Sequence, residues 1–386
     1  MLSAVAVEGY RSLRSLVLPL GRLNVVTGPN GSGKSNLYRA LRLLADTAQG
    51  GVVAALAREG GLESTLWAGP ETISRRMRRG DVPVEGGPRS KPVRLRLGFA
   101  GDDFGYAIAL GLPQPSSSLF ARDPEIKREV LWAGPVARPA SLLVDRDRAV
   151  VKVRNGRSWE VVARHLDAFD SLFAQVADAR SAPEVLQLRE TMRAWRFYDS
   201  FRTDADAPAR QAQVATRTPV LSHDGRDLAA ALQTILEIGD REALQGAVAD
   251  AFPGAAVGVA ARDDGRLAVE LQQPGLLRPL AGAELSDGTL RYLLLAAALL
   301  TPRPPSLMVI NEPESSLHPD LLPALARLMA RAAESTQVWV VSHATRLVAA
   351  LEREARCHRV ALEKEHGETR VVGQGPLDAP PWQWVD

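Results

Sequence analysis

The run Gly28-Pro29-Asn30-Gly31-Ser32-Gly33-Lys34-Ser35-Asn36 reads G-x-x-x-x-G-K-S, the phosphate-binding loop of nucleotide hydrolases. The residue types suit that chemistry. Glycines let the backbone curl until several N–H groups converge on one phosphate, and a helix starting at the end of the loop adds its positive pole. Lys34 reaches the outer phosphates, and the Ser35 hydroxyl suits a Mg²⁺ ion. Arg22 to Thr27 is a short apolar strand leading in, and Leu37 to Leu44 carries apolar residues at helical spacing leading out. A chance glycine-rich turn does not explain why strand, loop, Lys-Ser pair and helix coincide.

A second set of polar residues follows far along the chain. Ser306-Leu307-Met308-Val309-Ile310-Asn311-Glu312-Pro313-Glu314 is an apolar strand ending in a polar pair. Phosphate-loop enzymes place there the carboxylates that hold Mg²⁺ and its water and activate the attacking water. Glu312 is the general-base candidate. Alone, the segment is equally a buried parallel strand ending in a surface turn; the loop at Gly28 tips the reading. Upstream, Leu285-Ser286-Asp287-Gly288-Thr289-Leu290-Arg291 opens an apolar helix reaching Leu300, so Ser286, Asp287 and Gly288 mark a second phosphate site at a helix N-terminus. Downstream, the β-run Gln337 to Val341 ends in Ser342-His343. A lone histidine is more often structural, but one placed after a core strand can hydrogen-bond a γ-phosphate or the attacking water.

The elements that must position these residues fall in order. Ala4–Val7 and Leu13–Leu18 read as strands beside the strand before the loop. After a glycine-rich region, 50–69, comes a linker-like segment, 71–91, containing Arg75-Arg76-Met77-Arg78-Arg79. Its four arginines read first as a solvated loop and second as a contact to a nucleic-acid backbone. Val93–Phe99 and Tyr106–Leu110 alternate as an antiparallel pair around Gly101-Asp102-Asp103. Short strands continue to Val162, with Asn155-Gly156 as a hairpin turn. Segments 166–176, 182–194, 227–238 and 241–252 carry helical spacing. Trp195-Arg196-Phe197-Tyr198-Asp199-Ser200-Phe201-Arg202 interleaves aromatics with arginine, which fits a packed corner better than a base-stacking surface. Strands return at Ala256–Ala261 and Leu267–Leu271. The Trp382/Trp384 tail docks either on the protein's own surface or on a partner.

Composition sets bounds. The 386 residues hold one large domain or two to three smaller ones, and 46% apolar content allows a sizeable core. Lys+Arg 47 against Asp+Glu 45 is nearly balanced, so charge alone argues neither for nor against nucleic acid. The single cysteine, Cys357, excludes an internal disulfide and a Cys-rich metal site. Glu8, Arg11 and Arg14 interrupt the opening segment, which is therefore no signal peptide, and Tyr292–Leu300 is too short an apolar run to span a bilayer. The expectation is a soluble, cytoplasmic protein with no membrane partner.

Taken in order, these motifs resemble an ABC-type ATPase of the RecF/OLD/SMC-like branch, often described as predicted AAA-family ATPases. The resemblance rests on Gly28–Ser35, Leu285–Gly288, Val309–Glu312, Ser315-Ser316-Leu317-His318-Pro319 and Ser342-His343, with Gly9-Tyr10-Arg11-Ser12-Leu13 matching the N-terminal strand motif. It covers roughly residues 1–50 and 280–350. It implies ATP and Mg²⁺ as ligands, with Arg11 and Ser12 near the adenosine, Ser35 and Asn311 at the metal, Glu312 as base and His343 as switch histidine. It also implies an ATP-dependent homodimer in which Ser286 of one subunit faces the γ-phosphate held by the other. The fold expected is an α/β head with an antiparallel β-layer and an inserted helical lobe. The loop-bearing part is 1–165, the helical lobe 166–255, and the part with signature, acidic strand and histidine 256–386.

Three departures qualify the resemblance. The usual aspartate of the acidic strand is Asn311, which keeps an oxygen for a metal-bound water but loses the charge, weakening the hold on Mg²⁺. No glutamine in 49–114 stands in a context that identifies a Q-loop. The chain has no room for a Toprim nuclease and no heptads for a coiled-coil arm. Two functions follow: an ATP-hydrolysing dimeric switch acting with DNA or a separate effector protein in repair or phage defence, and a nucleotide-gated binding module with negligible turnover. A transporter motor fits poorly, given the N-terminal strand motif and the Glu312–Pro319 sequence.

Overall fold

The computed structural model describes residues 1–86, 94–176, 178, 180–354, 356–375 and 378–385. Residues 87–91 of the expected linker and Val93 of the expected strand lie outside the described residues. The chain divides into two compact units, one of Met1–Gly21, Thr27–Trp195 and Val360–Asp386, the other of Arg22–Val26 and Arg196–Arg359.

The first unit is built on an eight-stranded antiparallel sheet. Its spatial order is Leu13–Pro19, Leu2–Tyr10, Leu95–Gly101, Phe104–Gly111, Glu125–Ala133, Leu142–Asp147, Val150–Asn155 and Ser158–Ala163. Asn155-Gly156 turns as the sequence suggests, with Gly156 in the left-handed region at φ 58°. The helix Lys34–Thr47 covers the sheet at Leu2–Tyr10 and Leu95–Gly101, burying Leu37, Leu41 and Leu44 at three- and four-residue spacing. Ala4, Ala100, Ala107, Val130 and Trp132 form a separate apolar cluster, and there the C-terminal tail docks. Trp382 meets Trp132 edge-on at 5.7 Å between ring centroids and Trp384 meets Trp382 at 5.2 Å. The tail thus packs on its own chain. Near the N-terminus of the unit, Arg75–Arg79 forms a short helix capped by Ser74 rather than a flexible loop, and its four arginines are exposed.

A buried ion pair organises the far half of this sheet. Glu129 and Arg146 face each other on neighbouring strands, fully buried, with Arg146 Nη1 2.6 Å from Glu129 Oε2. Glu129 also accepts hydrogen bonds from the Tyr106 hydroxyl (2.7 Å), the Ser171 hydroxyl (2.6 Å) and the Leu172 N–H (2.9 Å). Burial, together with the neighbouring Glu129 carboxylate, raises the Tyr106 pKa well above its ordinary value. Arg146 donates in turn to the carbonyls of Arg148 (2.7 Å), Asp167 (2.7 Å) and Asp170. This explains why 166–176, expected as a helix, is helical only over Leu172–Gln175. The guanidinium takes the Asp167 and Asp170 carbonyls, and Ser171 caps the short helix by accepting from Phe173 N–H.

The second unit carries a parallel sheet. Arg196–Tyr198, Leu307–Asn311, Gln337–Val341 and the residues 23–26 lie side by side in that order. Continuous apolar runs such as Leu307-Met308-Val309-Ile310 suit strands buried on both faces. Among the helices that share this unit's core are Leu228–Ile238, Arg241–Ala251, Asp287–Leu299 and Leu322–Ala332, and a small antiparallel sheet centres on Ala256–Ala261 and Arg266–Gln272. The aromatic stretch proves to be packing: Trp195, Phe197, Tyr198 and Phe201 are all buried, and Arg196–Tyr198 is the edge strand of the parallel sheet. Among the described residues, no helix is long and apolar enough to cross a membrane.

Removing one member of the buried pair leaves an uncompensated charge, which costs about 3–5 kcal/mol. Arg146→Met is expected to lower the denaturant midpoint by that amount of stability and to expose 166–175 to amide hydrogen exchange. A variant as stable as the native chain would contradict this account.

Candidate nucleotide site

The phosphate loop lies in the first unit, where the helix Lys34–Thr47 begins directly at Lys34 with Gly33 as its N-cap at φ 108°. Two glycines are required by space as well as by backbone angle. A Cβ on Gly28 (φ 149°) would stand 2.3 Å from the Leu362 carbonyl oxygen, and one on Gly33 would stand 2.1 Å from Thr369 Oγ1. Pro29, Asn30, Gly31 and Ser35 are exposed. Lys34 is buried and curls back over the loop, Nζ donating to the carbonyls of Gly28 (2.6 Å) and Pro29 (3.0 Å). Ser32 Oγ is buried and has no partner. An open helix N-terminus, a lysine resting on loop carbonyls and an unpaired buried hydroxyl fit a phosphate chain.

Three side chains hold this loop. Asn36 Nδ2 donates to Ser12 Oγ (2.8 Å), Ser12 Oγ lies 2.7 Å from Thr369 Oγ1, and Thr369 Oγ1 donates to the Ser32 carbonyl (2.8 Å). Because the Thr369 proton is committed to Ser32, Ser12 is the donor to Thr369. All three donors therefore point one way, an arrangement in which each bond polarises the next. Thr369 N–H adds a bond to the Ser12 carbonyl (2.8 Å). Next to Ser12, Arg11 sits in the left-handed region at φ 48°. Its guanidinium lies 2.9 Å from Glu59 Oε2, which also accepts from the Tyr10 hydroxyl at 2.5 Å.

The second unit gathers the other candidates. Glu312 follows the strand Leu307–Asn311 in the left-handed region at φ 45°, a conformation that costs a non-glycine residue on the order of 1–2 kcal/mol. It is held from both sides: its N–H donates to the Val341 carbonyl (2.8 Å), and its carbonyl accepts from Arg291 Nη2 (3.0 Å). Such strain persists where the surroundings over-determine it, typically at functional sites. Arg291 is buried on the helix that Ser286 caps, and its Nε has no partner. Burial lowers its pKa, against the opposing pull of Glu314, Asp199 and Glu312. Ser286 Oγ accepts from Thr289 N–H (3.2 Å), and Asp287 pairs with Arg210 (2.7 Å), whose guanidinium also donates to the Leu285 carbonyl (2.6 Å). Gly288 passes close to the loop after the acidic strand, since a Cβ there would lie 3.0 Å from the Ser316 carbonyl oxygen.

His343 is placed by Glu314. The Glu314 Oε1 atom accepts from the Ser342 hydroxyl (2.7 Å), the His343 N–H (3.0 Å) and the Ala344 N–H (3.2 Å), while its buried Oε2 has no partner. The His343 ring nitrogen Nδ1 lies 3.4 Å from Glu314 Oε1 and 3.7 Å from Glu312 Oε1, so Glu312 and His343 stand together at the strand ends. Asn311 Nδ2 donates to Asp199 Oδ1 at 2.6 Å.

Sequence reading did not single out Thr369, Glu314, Arg291 or Asp199. Glu314 had a signal in the Glu-Pro-Glu spacing, and Arg291 had one as a charge inside an apolar helix. Thr369 and Asp199 had none, because their partners lie far away in the chain.

A parallel sheet with its polar residues at the strand ends, a phosphate loop opening a helix, and a large antiparallel sheet give the fold of an SMC head domain of the ABC type. Residues 23–349 match the family described as "AAA domain, putative AbiEii toxin, Type IV TA system", and the chain belongs to that family. Proteins of this class use ATP with Mg²⁺. Among solved structures it is similar to an Smc head bound to the C-winged helix domain of ScpA, at 13% identity and TM-score 0.50, covering 98% of this chain and 99% of that one. Other similar structures are an Smc head with an extended coiled coil bound to the C-terminal domain of ScpA from Pyrococcus furiosus (12% identity, TM-score 0.48, 96% and 95% covered) and an SMC head from Thermotoga maritima (14%, 0.44, 96% and 98%). At these identities the likeness is one of fold. No curated protein matches the sequence.

Because Glu312 pays for its side chain with backbone strain, Glu312→Gly is expected to stabilise the fold by about 1 kcal/mol while removing the carboxylate. A rise in the denaturant midpoint checks this; a fall would show that Glu312 contributes contacts outweighing the strain. Thr369→Val is expected to cost about 1–3 kcal/mol, measured the same way, because the Ser32 carbonyl loses its side-chain donor and Ser12 its acceptor.

Proposed function

We propose that this protein binds and hydrolyses ATP and that ATP joins two copies into a dimer, as a switch acting with DNA or a separate effector protein. The observation that carries the reading is the glycine-built cradle at Gly28–Ser35, with Lys34 resting on loop carbonyls and a buried Ser32 hydroxyl lacking a partner.

In this reading the loop N–H groups and Lys34 would hold the β- and γ-phosphates, and Ser35 and Asn311 are the residues that would serve Mg²⁺, which would neutralise charge on the phosphates when bound. Arg11 and Ser12 stand at the adenosine end. Glu312 takes the proton from the attacking water, and His343, held by Glu314, orients that water or the γ-phosphate. Ser286, Asp287 and Gly288, at the exposed start of their helix, serve the nucleotide of the second copy. The four exposed arginines of Arg75–Arg79 make duplex DNA the first partner to try. A second reading, a nucleotide-gated module with negligible turnover, is favoured by the missing charge at Asn311. Roles in repair or phage defence rest on the fold class alone.

Steady-state ATP hydrolysis with Mg²⁺, with and without duplex DNA, separates these readings. Native turnover that falls about 100-fold or more in Glu312→Gln supports a working ATPase, by the size of effect expected for a general base. Bound ATP with no turnover in either protein supports the binding module. Lys34→Ala is expected to abolish ATP-dependent dimerisation in sedimentation; a dimer that persists unchanged would refute the ATP-joined pair.

A further inference from the structure

The acidic strand ends in Asn311, and the neighbouring strand supplies what Asn311 lacks. Arg196–Tyr198 runs parallel to Leu307–Asn311 with Tyr198 opposite Ile310, so the next residues on the two strands, Asp199 and Asn311, come side by side. Asn311 Nδ2 donates to Asp199 Oδ1 at 2.6 Å. Two facing oxygens would repel, so the carboxylate sets the amide's orientation: nitrogen toward Asp199, Oδ1 away from it. The pair carries one negative charge, the same formal charge as a single aspartate at position 311. Asp199 is exposed and makes no other side-chain hydrogen bond among the described residues.

The surroundings call for a cation. Asp199, Glu312 and Glu314 all act on the buried guanidinium of Arg291, three carboxylates against one positive charge. Glu314 keeps an unpartnered buried Oε2, an acceptor open to a cation. The carboxyl ends of parallel strands are also where ligands bind in open α/β sheets.

We propose that Asp199 and Asn311 together replace the missing aspartate of the acidic strand: Asp199 supplies the negative charge toward the Mg²⁺ that accompanies the nucleotide, and Asn311 holds the carboxylate and offers Oδ1 beside it. This deepens the nucleotide reading above and rests on it. Asp199 would serve the metal as an outer partner, and the loss of such a partner typically costs 10–100-fold in metal affinity.

The test reads metal binding directly. Mn²⁺ is titrated by electron paramagnetic resonance into the full chain saturated with ADP, and ADP binding is measured separately in EDTA. Asp199→Asn is expected to weaken Mn²⁺ by about 10–100-fold without weakening ADP binding in EDTA. The exchange variant carrying Asp199→Asn and Asn311→Asp keeps one carboxylate and one amide, and is expected to recover Mn²⁺ affinity. Native Mn²⁺ affinity in a folded Asp199→Asn protein overturns the assignment and leaves the nucleotide reading standing. If that single variant is unstable, the exchange variant decides: recovery supports the proposal, and loss overturns it. A native protein that binds no ADP overturns the nucleotide reading and this assignment with it.

Discussion

The parallel register of the second unit is the constraint on which the chemistry depends. Tyr198, Ile310, Val340 and Val25 stand in one row across four strands. One residue further lie Asp199, Asn311, Val341 and Val26, and just beyond are Glu312 on one strand and Ser342-His343 on the next. Slipping Leu307–Asn311 by one residue would draw polar Ser306 or Asn311 into the buried rows, so burial on both faces holds the register in place. Glu312 and His343 meet because two apolar strands end level with each other, with Glu314 bracing the turn between strand and helix. Val26 is the last residue of that row before the chain departs for the phosphate loop.

Both units answer the problem of buried charge in the same way, by surrounding it with more donors or acceptors than one partner could supply. Glu129 takes four hydrogen bonds, and Arg146 reaches three carbonyls besides its ion pair. That network is closed, and it serves structure. The set around Arg291 is open: one guanidinium nitrogen and one carboxylate oxygen remain unpaired, and Glu312 is held in a strained backbone conformation. A closed network makes a rigid support. An open one keeps unspent electrostatic capacity where a ligand can use it.

The parts of the fold legible in sequence are those whose cause is local. The loop could be read because glycines, lysine and a following helix are a contiguous shape, and the apolar runs at Leu307 and Gln337 announce buried strands by themselves. The hairpin at Asn155-Gly156 is encoded by two residues. Where a distant partner decides, sequence reading failed. Segment 166–176 has helical spacing, yet Arg146 claims two of its carbonyls. The aromatics around Phe197 are legible as packing, but their place as an edge strand is visible only once its pairing with Met308–Ile310 is known. Thr369 looks like any hairpin threonine until it meets Ser12 and Ser32. Asp199 gains its meaning solely from the register of a strand more than a hundred positions downstream.

The Thr369 bonds to Ser12 and Ser32 span 357 and 337 positions of the chain. On a ribosome, the glycine loop leaves the exit tunnel long before the threonine that locks it, 337 positions after Ser32, is made. Throughout that interval a nascent chain carries an unlocked loop, and contacts of such long range are also slow to form. A chain interrupted before Thr369 presents the full phosphate motif without the brace that holds it in shape.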